Sequence, residues 1–353
     1  MTTAGAIATG LHRRPQTNIM RGQISPMGPQ MRAYLILPLT LLFLCGPLHA
    51  EWVSDDREIM GTSVRVELWF DDVQAGAGIV ESVMQEMHRI DALMSTYKDQ
   101  SEISRVNREA ARSPVSVSHE LASLVARSLE LSRMTDGAFD ITYASVGYLY
   151  DFRERQHPGP EQIEEVLPTI DYRFVVVDQQ ESTIYFRREG VRIDLGGIAK
   201  GYAVERGAAI LRANGVRHGI VTAGGDSRIV GDRRGKPWVV GIRHPRDKQR
   251  VVTRMPLRDE AISTSGDYER FFEEDGLRYH HIIHPATGQS ASAVQSVTII
   301  GPDATMTDGL STSVFVLGVA NGLALIERLP DYECVIVDKH GVMHYSSGLT
   351  EPQ

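Results

Sequence analysis

The sequence contains few cysteines, no internal repeat and no low-complexity tract. Only two of its 353 residues are cysteine, and Cys45 lies in an apolar N-terminal segment. An internal disulfide is therefore excluded if that segment is removed, and a large core can replace one. Cys334 lies in an apolar run and is expected to be a buried core thiol.

The chain also lacks an excess of basic residues. It carries 37 basic against 45 acidic residues, a net charge of −8. The first 50 residues hold four arginines and no other charged side chain, which leaves 33 basic against 45 acidic residues and a net of −12 for the rest. An acidic body without a basic stripe is a poor binder of phosphate backbones, so no nucleic-acid partner is expected.

The N-terminal apolar run is too short to span a membrane as a helix. Arg32 precedes a run of 13 residues, Ala33 to Cys45, and the small residue Ala50 follows. A basic start, a short apolar centre and a small final residue are typical of a signal peptide. An N-terminal membrane anchor is the alternative. The predicted organisation is an N-terminal extension at 1–30, a signal peptide at 31–50 and one domain at 51–353. The protein is expected to be exported to the periplasm, and to be membrane-associated if the N-terminus is retained as an anchor.

The remaining chain shows strand and helix periodicities in mixed order. Thr62 to Phe70 alternates as a half-buried strand, whereas apolar residues from Ile79 to Met94 recur at helical spacing. Ser118 is a candidate N-cap for a second helix. A hairpin is expected over 174–186, a helix over 198–214, and a surface loop over the polar stretch 243–251. This pattern predicts an α+β fold: a single domain with a mixed or antiparallel sheet and helices packed on it.

Two glycine-rich segments are candidates for ligand binding. In the first, a strand is expected to end at Asp194, Gly196 and Gly197 follow, and a helix begins near Lys200. Glycines allow close backbone approach and a helix N-terminus attracts anions, although a tight turn explains the same pattern. The second segment, Gly224-Gly225-Asp226, indicates first a turn and only weakly a ligand contact.

Three histidines lie within five residues, at His280, His281 and His284. No H-E-x-x-H pattern or neighbouring cysteine supports a zinc site. In a strand, His280 and His281 would point to opposite faces. One of them is a candidate proton acceptor, because histidine titrates near working pH, and a structural histidine is the alternative.

A helical turn rich in oxygen atoms is the candidate metal site. Asp308, Ser311 and Thr312 are three and four residues apart, which places them on one helix face. Carboxylate and hydroxyl oxygens suit Mg²⁺, with phosphate and water completing its coordination. The alternative is that Asp308 is an N-cap residue. As a ligand, Asp308 is expected to be exposed or to line a cleft.

Taken in order, these segments resemble the FAD:protein FMN transferase family, often called ApbE. The resemblance extends from Met60 to about Gly318, and each motif is modest, but their order is specific. It is carried by Met60-Gly61-Thr62, Met94 to Tyr97 with Ser101 to Ser104 and Asn107, Gly137 to Asp140, Ile193 to Gly201, Gly224 to Asp226, Ser263 to Tyr268, His281 to Gly288 and Asp308 to Thr312. One departure is His284, where many relatives have Asp.

The resemblance implies an enzyme that binds FAD with Mg²⁺, transfers FMN to a threonine hydroxyl of a target protein and releases AMP. The target implied is a flavin-bearing subunit of a membrane redox complex. FAD would contact Met60, Tyr97, Ala138, Phe139, Asp140, Asp194, Lys200 and Ile283. Mg²⁺ would be held by Gly197, Asp308, Ser311 and Thr312, and His281 would be the catalytic base.

Two other functions remain open from the sequence. The same site could hydrolyse FAD to FMN and AMP, with water in place of threonine. Alternatively, the protein could be a periplasmic flavin-binding protein without transfer chemistry. Flavin attached covalently to a target would distinguish FMN transfer from FAD hydrolysis. FAD that stays intact in the presence of Mg²⁺ and a target would favour a flavin-binding protein.

Overall fold

A computed structural model describes residues 50–349 of the chain. The N-terminal extension and the predicted signal peptide, except Ala50, lie outside the described residues, as does Cys45. The strands are β1 Glu51–Ile59, β2 Thr62–Phe70, β3 Val115–Ser116, β4 Val175–Asp178, β5 Thr183–Phe186, β6 His218–Ala223, β7 Asp226–Gly231, β8 Trp238–His244, β9 Asp247–Leu257, β10 Ala261–Gly266, β11 Phe271–Glu274, β12 Leu277–His280, β13 Ile283–His284, β14 Gln289–Ser290, β15 Val294–Gly301, β16 Glu333–Asp338 and β17 Met343–Tyr345.

Seven α-helices and four short 3-10 helices are present in the same range. The α-helices are α1 Val73–Met94, α2 Glu102–Glu109, α3 His119–Met134, α4 Ala144–Gly147, α5 Pro160–Val166, α6 Ala199–Ala213 and α7 Ala304–Ile326. The 3-10 helices are Ile141–Tyr143, Leu167–Thr169, Tyr172–Phe174 and Ser347–Leu349. This mixture of helix and strand confirms the predicted α+β class.

The centre of the molecule is an eight-stranded antiparallel sheet. Its strand order is β1-β2-β6-β7-β10-β15-β16-β17, and every neighbouring pair is antiparallel. Strand β2 has the predicted bounds, and its alternating residues Val64, Val66 and Leu68 are fully buried. Since successive side chains of a strand point to opposite faces, this alternation directs one face of β2 into the core.

Helices α1, α6 and α7 cover one face of the sheet and enclose the main hydrophobic core. The buried stripe of α1 includes Ile79, Val83, Met87 and Ile90, as the helical spacing predicts. Asp72 caps this helix by accepting hydrogen bonds from the first backbone N–H groups. The opposite face of the sheet packs against the β8–β9 hairpin in a smaller cluster around Trp238.

Local signals located several other elements correctly. Ser118 is the N-cap of α3, and its hydroxyl accepts a hydrogen bond from the backbone N–H of Leu121 at 3.2 Å. Strands β4 and β5 form the expected hairpin, and α6 occupies the expected range. Cys334 is buried in β16, where burial raises the pKa of its thiol to about 12. A core thiol was therefore the correct interpretation.

Three local expectations are wrong. The polar stretch 243–251 is not a loop, because β8 and β9 form a hairpin through it. A two-stranded ribbon with one exposed face tolerates polar side chains, so composition misled the interpretation. His281 lies between β12 and β13 rather than within a strand. No strand ends at Asp194; instead, the side chain of Asn107 hydrogen-bonds both backbone groups of Ile193, in place of a neighbouring strand.

Helix α7 is the one helix in the described part of the chain that is long and apolar enough to cross a membrane. Most of it is buried inside the protein, against the sheet and α6, which is the pattern of a core helix. At Gly318 its backbone is non-helical, with φ of 73°. The first part of α7 carries the candidate metal residues.

Candidate active site

The site begins where α6 and α7 touch. At Gly201 a side chain would collide with the carbonyl oxygen of Ala304, so glycine is required for this close approach. The backbone N–H of Gly201 donates to Oδ2 of Asp308 at 2.8 Å. Asp308 is therefore fixed by the N-terminal turn of α6. It is only 2% exposed and lies within α7, so it is neither an N-cap nor a cleft-lining residue; Asp303 is the N-cap.

Lys200 lies between two buried carboxylates at this crossing. Its ammonium group forms an ion pair with Asp226 and lies 3.7 Å from Oδ1 of Asp308. Burial lowers the pKa of Lys200, but the two carboxylates outweigh burial and raise it overall, so the ammonium is charged. Burial, followed by the charge of Asp226, raises the pKa of Asp308 above its usual range despite Lys200. The crossing thus concentrates charge around two buried carboxylates, while 27% of the Lys200 side chain remains exposed.

The structure brings the four predicted metal residues into one neighbourhood. A side chain at Gly197 would lie 3.3 Å from Oγ1 of Thr312. The hydroxyl of Ser265 lies 2.8 Å from that of Ser311 and 3.3 Å from that of Thr312. Ser311 also donates to the carbonyl oxygen of Asp308 at 2.8 Å. Gly197, on the segment leading into α6, therefore faces the turn of α7 that holds Asp308, Ser311 and Thr312.

The chemistry of these donors suits Mg²⁺ bound together with a phosphate ligand. One carboxylate, nearby hydroxyls and a backbone carbonyl are all oxygen donors, and Mg²⁺ commonly takes only one or two carboxylates beside substrate phosphates. Among the described residues, no three His, Cys, Asp or Glu side chains are grouped to hold a metal ion. One carboxylate oxygen beside the crossing, Oδ1 of Asp226, is buried without a hydrogen-bond partner. A bound cation would offset this buried negative charge.

Asp194 connects two segments that the resemblance places against FAD. Its Oδ1 accepts from the backbone N–H of Gly196 at 2.6 Å and from the hydroxyl of Tyr143 at 3.1 Å. Its Oδ2 accepts from the hydroxyl of Thr96 at 2.8 Å, directly before Tyr97. Burial, followed by the charge of Asp194, raises the pKa of Tyr143 well above its usual value, so the phenol stays protonated and donates. Asp194 therefore holds the glycine turn beside Tyr97.

Of the three neighbouring residues Ala138, Phe139 and Asp140, Phe139 contacts the glycine turn. Phe139 is buried, and its ring lies 3.3 Å from where a side chain at Gly197 would begin. The carboxylate of Asp140 accepts three hydrogen bonds, from the N–H and hydroxyl of Thr142 and the N–H of Tyr172. Burial raises the pKa of Asp140 and these bonds oppose it. The described contacts of Asp140 are thus structural, while Ala138 is half-buried against the core.

The other predicted FAD contacts lie at the rim. Met60 occupies the β1–β2 turn with φ of 57°, followed by Gly61 with φ of 69°. Tyr97 is 84% exposed, which is high for a large aromatic side chain. Ile283 is buried, but it packs in a separate small cluster with Val146 and Tyr150 rather than in the main core. Tyr97 is therefore open to a ligand, Met60 is half-buried against the main core, and Ile283 is largely covered by protein.

His281 is a candidate proton acceptor, because one of its ring nitrogens has no hydrogen-bond partner among the described residues. This nitrogen is Nδ1, and it is buried. Burial, followed by the charges of Arg270, His280 and Lys200, lowers its pKa to about 3. The imidazole is therefore neutral near pH 7. A buried and unsatisfied ring nitrogen is costly in a folded protein, and it is most easily explained by a ligand that the nitrogen meets.

The two neighbouring histidines have structural contacts. Nε2 of His280 lies 2.7 Å from the carbonyl oxygen of Ala291, and its Nδ1 accepts from the N–H of Ile282 at 3.3 Å. Nδ1 of His284 accepts from the N–H of Ala286 at 3.2 Å, within a turn. His280 thus has structural contacts while Nδ1 of His281 has no hydrogen-bond partner among the described residues, and strand alternation does not explain this difference, because His281 lies in the break between β12 and β13.

Sequence reasoning missed three residues at this site. Asp226 was predicted to lie in a turn with at most a weak ligand contact, but it is 1% exposed and pairs with Lys200. Tyr143 belongs to no motif identified in the sequence, and Arg270 lies two residues beyond the segment Ser263 to Tyr268. The charge of Arg270 acts on His281, Lys200 and Tyr143. Only the carboxylate after Gly224-Gly225 offered a signal in the sequence, because a charged residue that begins an apolar strand is unusual.

The arrangement can bind a flat ring beside Tyr97, a phosphate group near Lys200, and a divalent cation near Asp308. A neutral histidine with a free ring nitrogen lies beside the same cationic groups. Such a set suits displacement at phosphorus, in which charge is stabilised by cations and a proton is taken from the attacking oxygen.

Comparisons with known proteins agree with this chemistry. The family model described as the ApbE family matches residues 60–336. The FAD:protein FMN transferase of Vibrio cholerae serotype O1 is 33% identical over 91% of this chain and 99% of its own length. That of Treponema pallidum is 31% identical over 83% of this chain and 86% of its own length.

Solved structures resemble this fold as well. The ApbE protein of Thermotoga maritima has a TM-score of 0.79 at 35% identity, covering 86% of this chain and all of its own. The flavin transferase ApbE from Vibrio cholerae has a TM-score of 0.75 at 29% identity, covering 84% of this chain and 98% of its own.

Proposed function

The chain belongs to the ApbE family, and we propose that it is an enzyme that transfers the FMN half of FAD to a target protein. The observation that carries this proposal is the crossing of α6 and α7. There, Lys200 of α6 and the α7 residues Asp308 and Thr312, from two segments of the family match, converge beside the glycine turn. The family resemblance assigns these residues to FAD and metal binding.

The proposed reaction is a displacement at the phosphorus of the FMN phosphate. A threonine hydroxyl of the target attacks, a new P–O bond forms, and the bond to the AMP phosphate breaks with its electron pair leaving on AMP. The threonine proton passes to His281, whose neutral imidazole can accept it. Lys200 holds positive charge beside the pyrophosphate, because the ion pair with Asp226 fixes its ammonium group.

Bound pyrophosphate would also change the basicity of His281. In the free protein, burial and three cationic or titratable neighbours hold the pKa of this histidine at about 3. A group with so low a pKa is a weak base. An anion placed beside it favours the imidazolium and raises the pKa. The histidine thus becomes a better proton acceptor when the substrate is present.

Mg²⁺ is proposed as the resident metal, held by Asp308, Thr312, Ser311 and the carbonyl of Gly197. When bound, it would offset the pyrophosphate charge that repels an incoming oxygen and stabilise the leaving phosphate. The supporting observation is the all-oxygen donor set with one carboxylate. Asp226 and Asp308 supply two carboxylates and Lys200 only one ammonium group. The ion would also offset the net negative charge of these three side chains.

The partner and the location are proposals that come from the sequence. The target would be a flavin-bearing subunit of a membrane redox complex, and the site of action would be the periplasm, after export directed by residues 31–50. The domain that acts would span residues 51–353. N-terminal sequencing of the exported protein tests the boundary: a start near Glu51 supports cleavage, and recovery of residues 31–50 in membranes supports an anchor.

Mass spectrometry tests the transfer itself. A candidate target is incubated with the protein, FAD and Mg²⁺, and the target should gain the mass of FMN less one water, on a threonine. An otherwise identical target with that threonine replaced by alanine is the control. Unmodified target with free FMN and AMP would instead identify an FAD pyrophosphatase. Unconsumed FAD with every candidate would favour a flavin-binding protein.

A further inference from the structure

Arg270 is an arginine at the site whose charge is not neutralised by the protein. Two nearby arginines, Arg246 and Arg278, both pair with Asp267, at 2.6 Å and 3.4 Å. Among the described residues, the guanidinium of Arg270 has neither a carboxylate partner nor a hydrogen-bond acceptor. The position therefore carries free positive charge in a region where its neighbours are paired.

The fold holds Arg270 against His281. Strands β11 and β12 pair with Phe271 opposite His280, so Arg270 and His281 are the next two positions of that register. The N–H of His281 donates to the carbonyl oxygen of Arg270 at 3.2 Å, which extends the pairing. Both residues lie just outside the two strands, and the charge of Arg270 acts on the His281 ring, so the two side chains lie close together.

The guanidinium also reaches the turn that holds Met60. Its Nη2 atom lies 3.3 Å from where a side chain at Gly61 would begin. At this position a side chain would crowd the arginine, and the φ of 69° also favours glycine. Arg270 therefore bridges two segments of the site, the Met60-Gly61 turn and His281.

The charge of Arg270 acts on both His281 and Lys200. Its charge is one of the causes that lower the pKa of His281, after burial, and it also opposes the charged form of Lys200. Lys200 is paired with Asp226, but Arg270 has no counter-ion among the described residues, so its positive charge next to Lys200 is not neutralised by the protein. An anion bound between Arg270 and Lys200 would offset this charge.

We propose that the guanidinium of Arg270 binds the pyrophosphate of FAD, together with Lys200. This inference rests on the proposed function, because it takes FAD as the substrate. A guanidinium presents parallel N–H groups that match two phosphate oxygens, which a lysine ammonium cannot do. Arg270 would bind non-bridging oxygens of the pyrophosphate in the binary complex of the protein with FAD, before a target protein binds.

The test is the affinity for FAD and its dependence on salt, measured by quenching of flavin fluorescence. Arg270→Ala should weaken FAD binding about 10- to 100-fold, the effect expected for a charge-assisted pair of hydrogen bonds. The variant should also show a shallower loss of affinity with rising NaCl concentration, because one charge contact is missing. A structural defect would lower affinity without changing this dependence.

Two further variants control the test. Arg328→Ala removes an exposed arginine that has no described side-chain partner, beyond the C-terminal end of α7. It should bind FAD like the unmodified protein. Arg270→Lys keeps the positive charge, so the salt dependence of FAD affinity should stay the same. The affinity itself should fall, because an ammonium group lacks the parallel N–H groups of a guanidinium.

Two outcomes overturn the inference: unchanged FAD affinity in Arg270→Ala, or lowered affinity with an unchanged salt dependence. These outcomes are distinct from failure of the proposed function. If the unmodified protein binds FAD but leaves every target unmodified, transfer is contradicted while the Arg270 contact is still measured. If transfer proceeds and Arg270→Ala binds FAD normally, only the Arg270 contact is wrong.

Discussion

The crossing of α6 and α7 differs sharply from the rim formed by Met60, Tyr97 and Arg270. At the crossing, Lys200 and Asp308 contact protein groups of opposite charge, and Asp308 is 2% exposed. At the rim, Tyr97 is 84% exposed, and the guanidinium of Arg270 has no carboxylate partner in the described part of the chain. One region is fixed by its own contacts, and the other is open.

This difference separates two tasks. Charges that stabilise a transition state act best when they are fixed in advance in a dry site, because no reorganisation is then needed. Groups that recognise a large substrate can instead be exposed and gain their contacts on binding. We therefore expect changes at the crossing to lower the rate of transfer, and changes at the rim to lower the affinity for FAD.

The largest effect is expected at Asp308. Asp308→Asn keeps an acceptor for the N–H of Gly201 and removes the charge, so transfer should fall by about 10³-fold or more, the scale of losing several kcal/mol of charge stabilisation. Asp308→Ala should also lower the melting temperature, because the N–H of Gly201 and Lys200 lose a buried partner. Transfer rates across a Mg²⁺ titration and thermal unfolding check both. A near-normal rate for Asp308→Asn at low Mg²⁺ would contradict the metal assignment.

His281 is expected to have the next largest effect. His281→Ala should reduce transfer by about 10²- to 10⁴-fold, the usual contribution of a general base, while FAD affinity changes much less. Raising the pH should restore part of the rate, since hydroxide can accept the proton. The comparison is made by in-gel flavin fluorescence for transfer and fluorescence quenching for binding. Loss of binding and transfer together would make His281 a cofactor contact or a structural residue.

Gly201 tests whether the close helix crossing is needed. Gly201→Ala places a methyl group against the carbonyl of Ala304, so the helices must separate and the free energy of unfolding should fall by about 1–3 kcal/mol or more. Gly78→Ala is the matched control, because its position in α1 has open space, and alanine should stabilise a helix there by about 0.5–1 kcal/mol. Denaturant unfolding measures both changes. Equal stability of the two variants would mean that α6 and α7 are not in close contact.

At the rim, Tyr97→Ala should weaken FAD binding by about 10-fold, the effect of losing one ring–ring stack. The melting temperature should stay nearly constant, since an exposed ring adds little to the core. Tyr97→Phe should bind FAD almost normally, because stacking needs the ring and not the hydroxyl. A large loss of stability in Tyr97→Ala would show that this side chain packs within the protein.

The smallest effect concerns stability in acid. The pKa of His281 is about 3 in the folded protein, against about 6.5 in an unfolded chain. Between these values the unfolded state binds more protons, so stability falls as the pH falls from about 6.5, by at most about 1.4 kcal/mol for each pH unit. His281→Gln should reduce the pH dependence of the free energy of unfolding. Part of that dependence should remain, because burial also lowers the pKa of His280. Unfolding at pH 7 and pH 5 measures the difference; an identical pH dependence in both proteins would contradict it.

Local signals in the sequence were enough for elements whose cause is local. The alternation in β2 and the cap at Ser118 depend on residues within a few positions, and both were located correctly. Helix α2 was missed, although Ser101 caps it by accepting from the N–H of Ser104, because its eight residues bury only a short apolar stripe. The β8–β9 ribbon was missed because its polar side chains resemble those of a loop.

The parts of the site that could not be predicted depend on partners far away in sequence. Asp226 becomes significant only because Lys200 lies beside it, and Asp308 is buried only because α6 crosses α7 at Gly201. Arg270 gains its position from the pairing of β11 with β12. A single sequence shows the residue types but not these contacts, and the family resemblance assigns residues to a site without explaining what holds them together.

The most direct test of the division between crossing and rim is a paired measurement of single-turnover transfer rate and FAD affinity in Asp308→Asn and Tyr97→Ala. Both are measured at fixed Mg²⁺ with the same target. We predict that Asp308→Asn loses about 10³-fold or more in rate, more than it loses in affinity. Tyr97→Ala should lose about 10-fold in affinity and keep its rate at saturating FAD. Equal losses of rate and affinity in both variants would contradict the account.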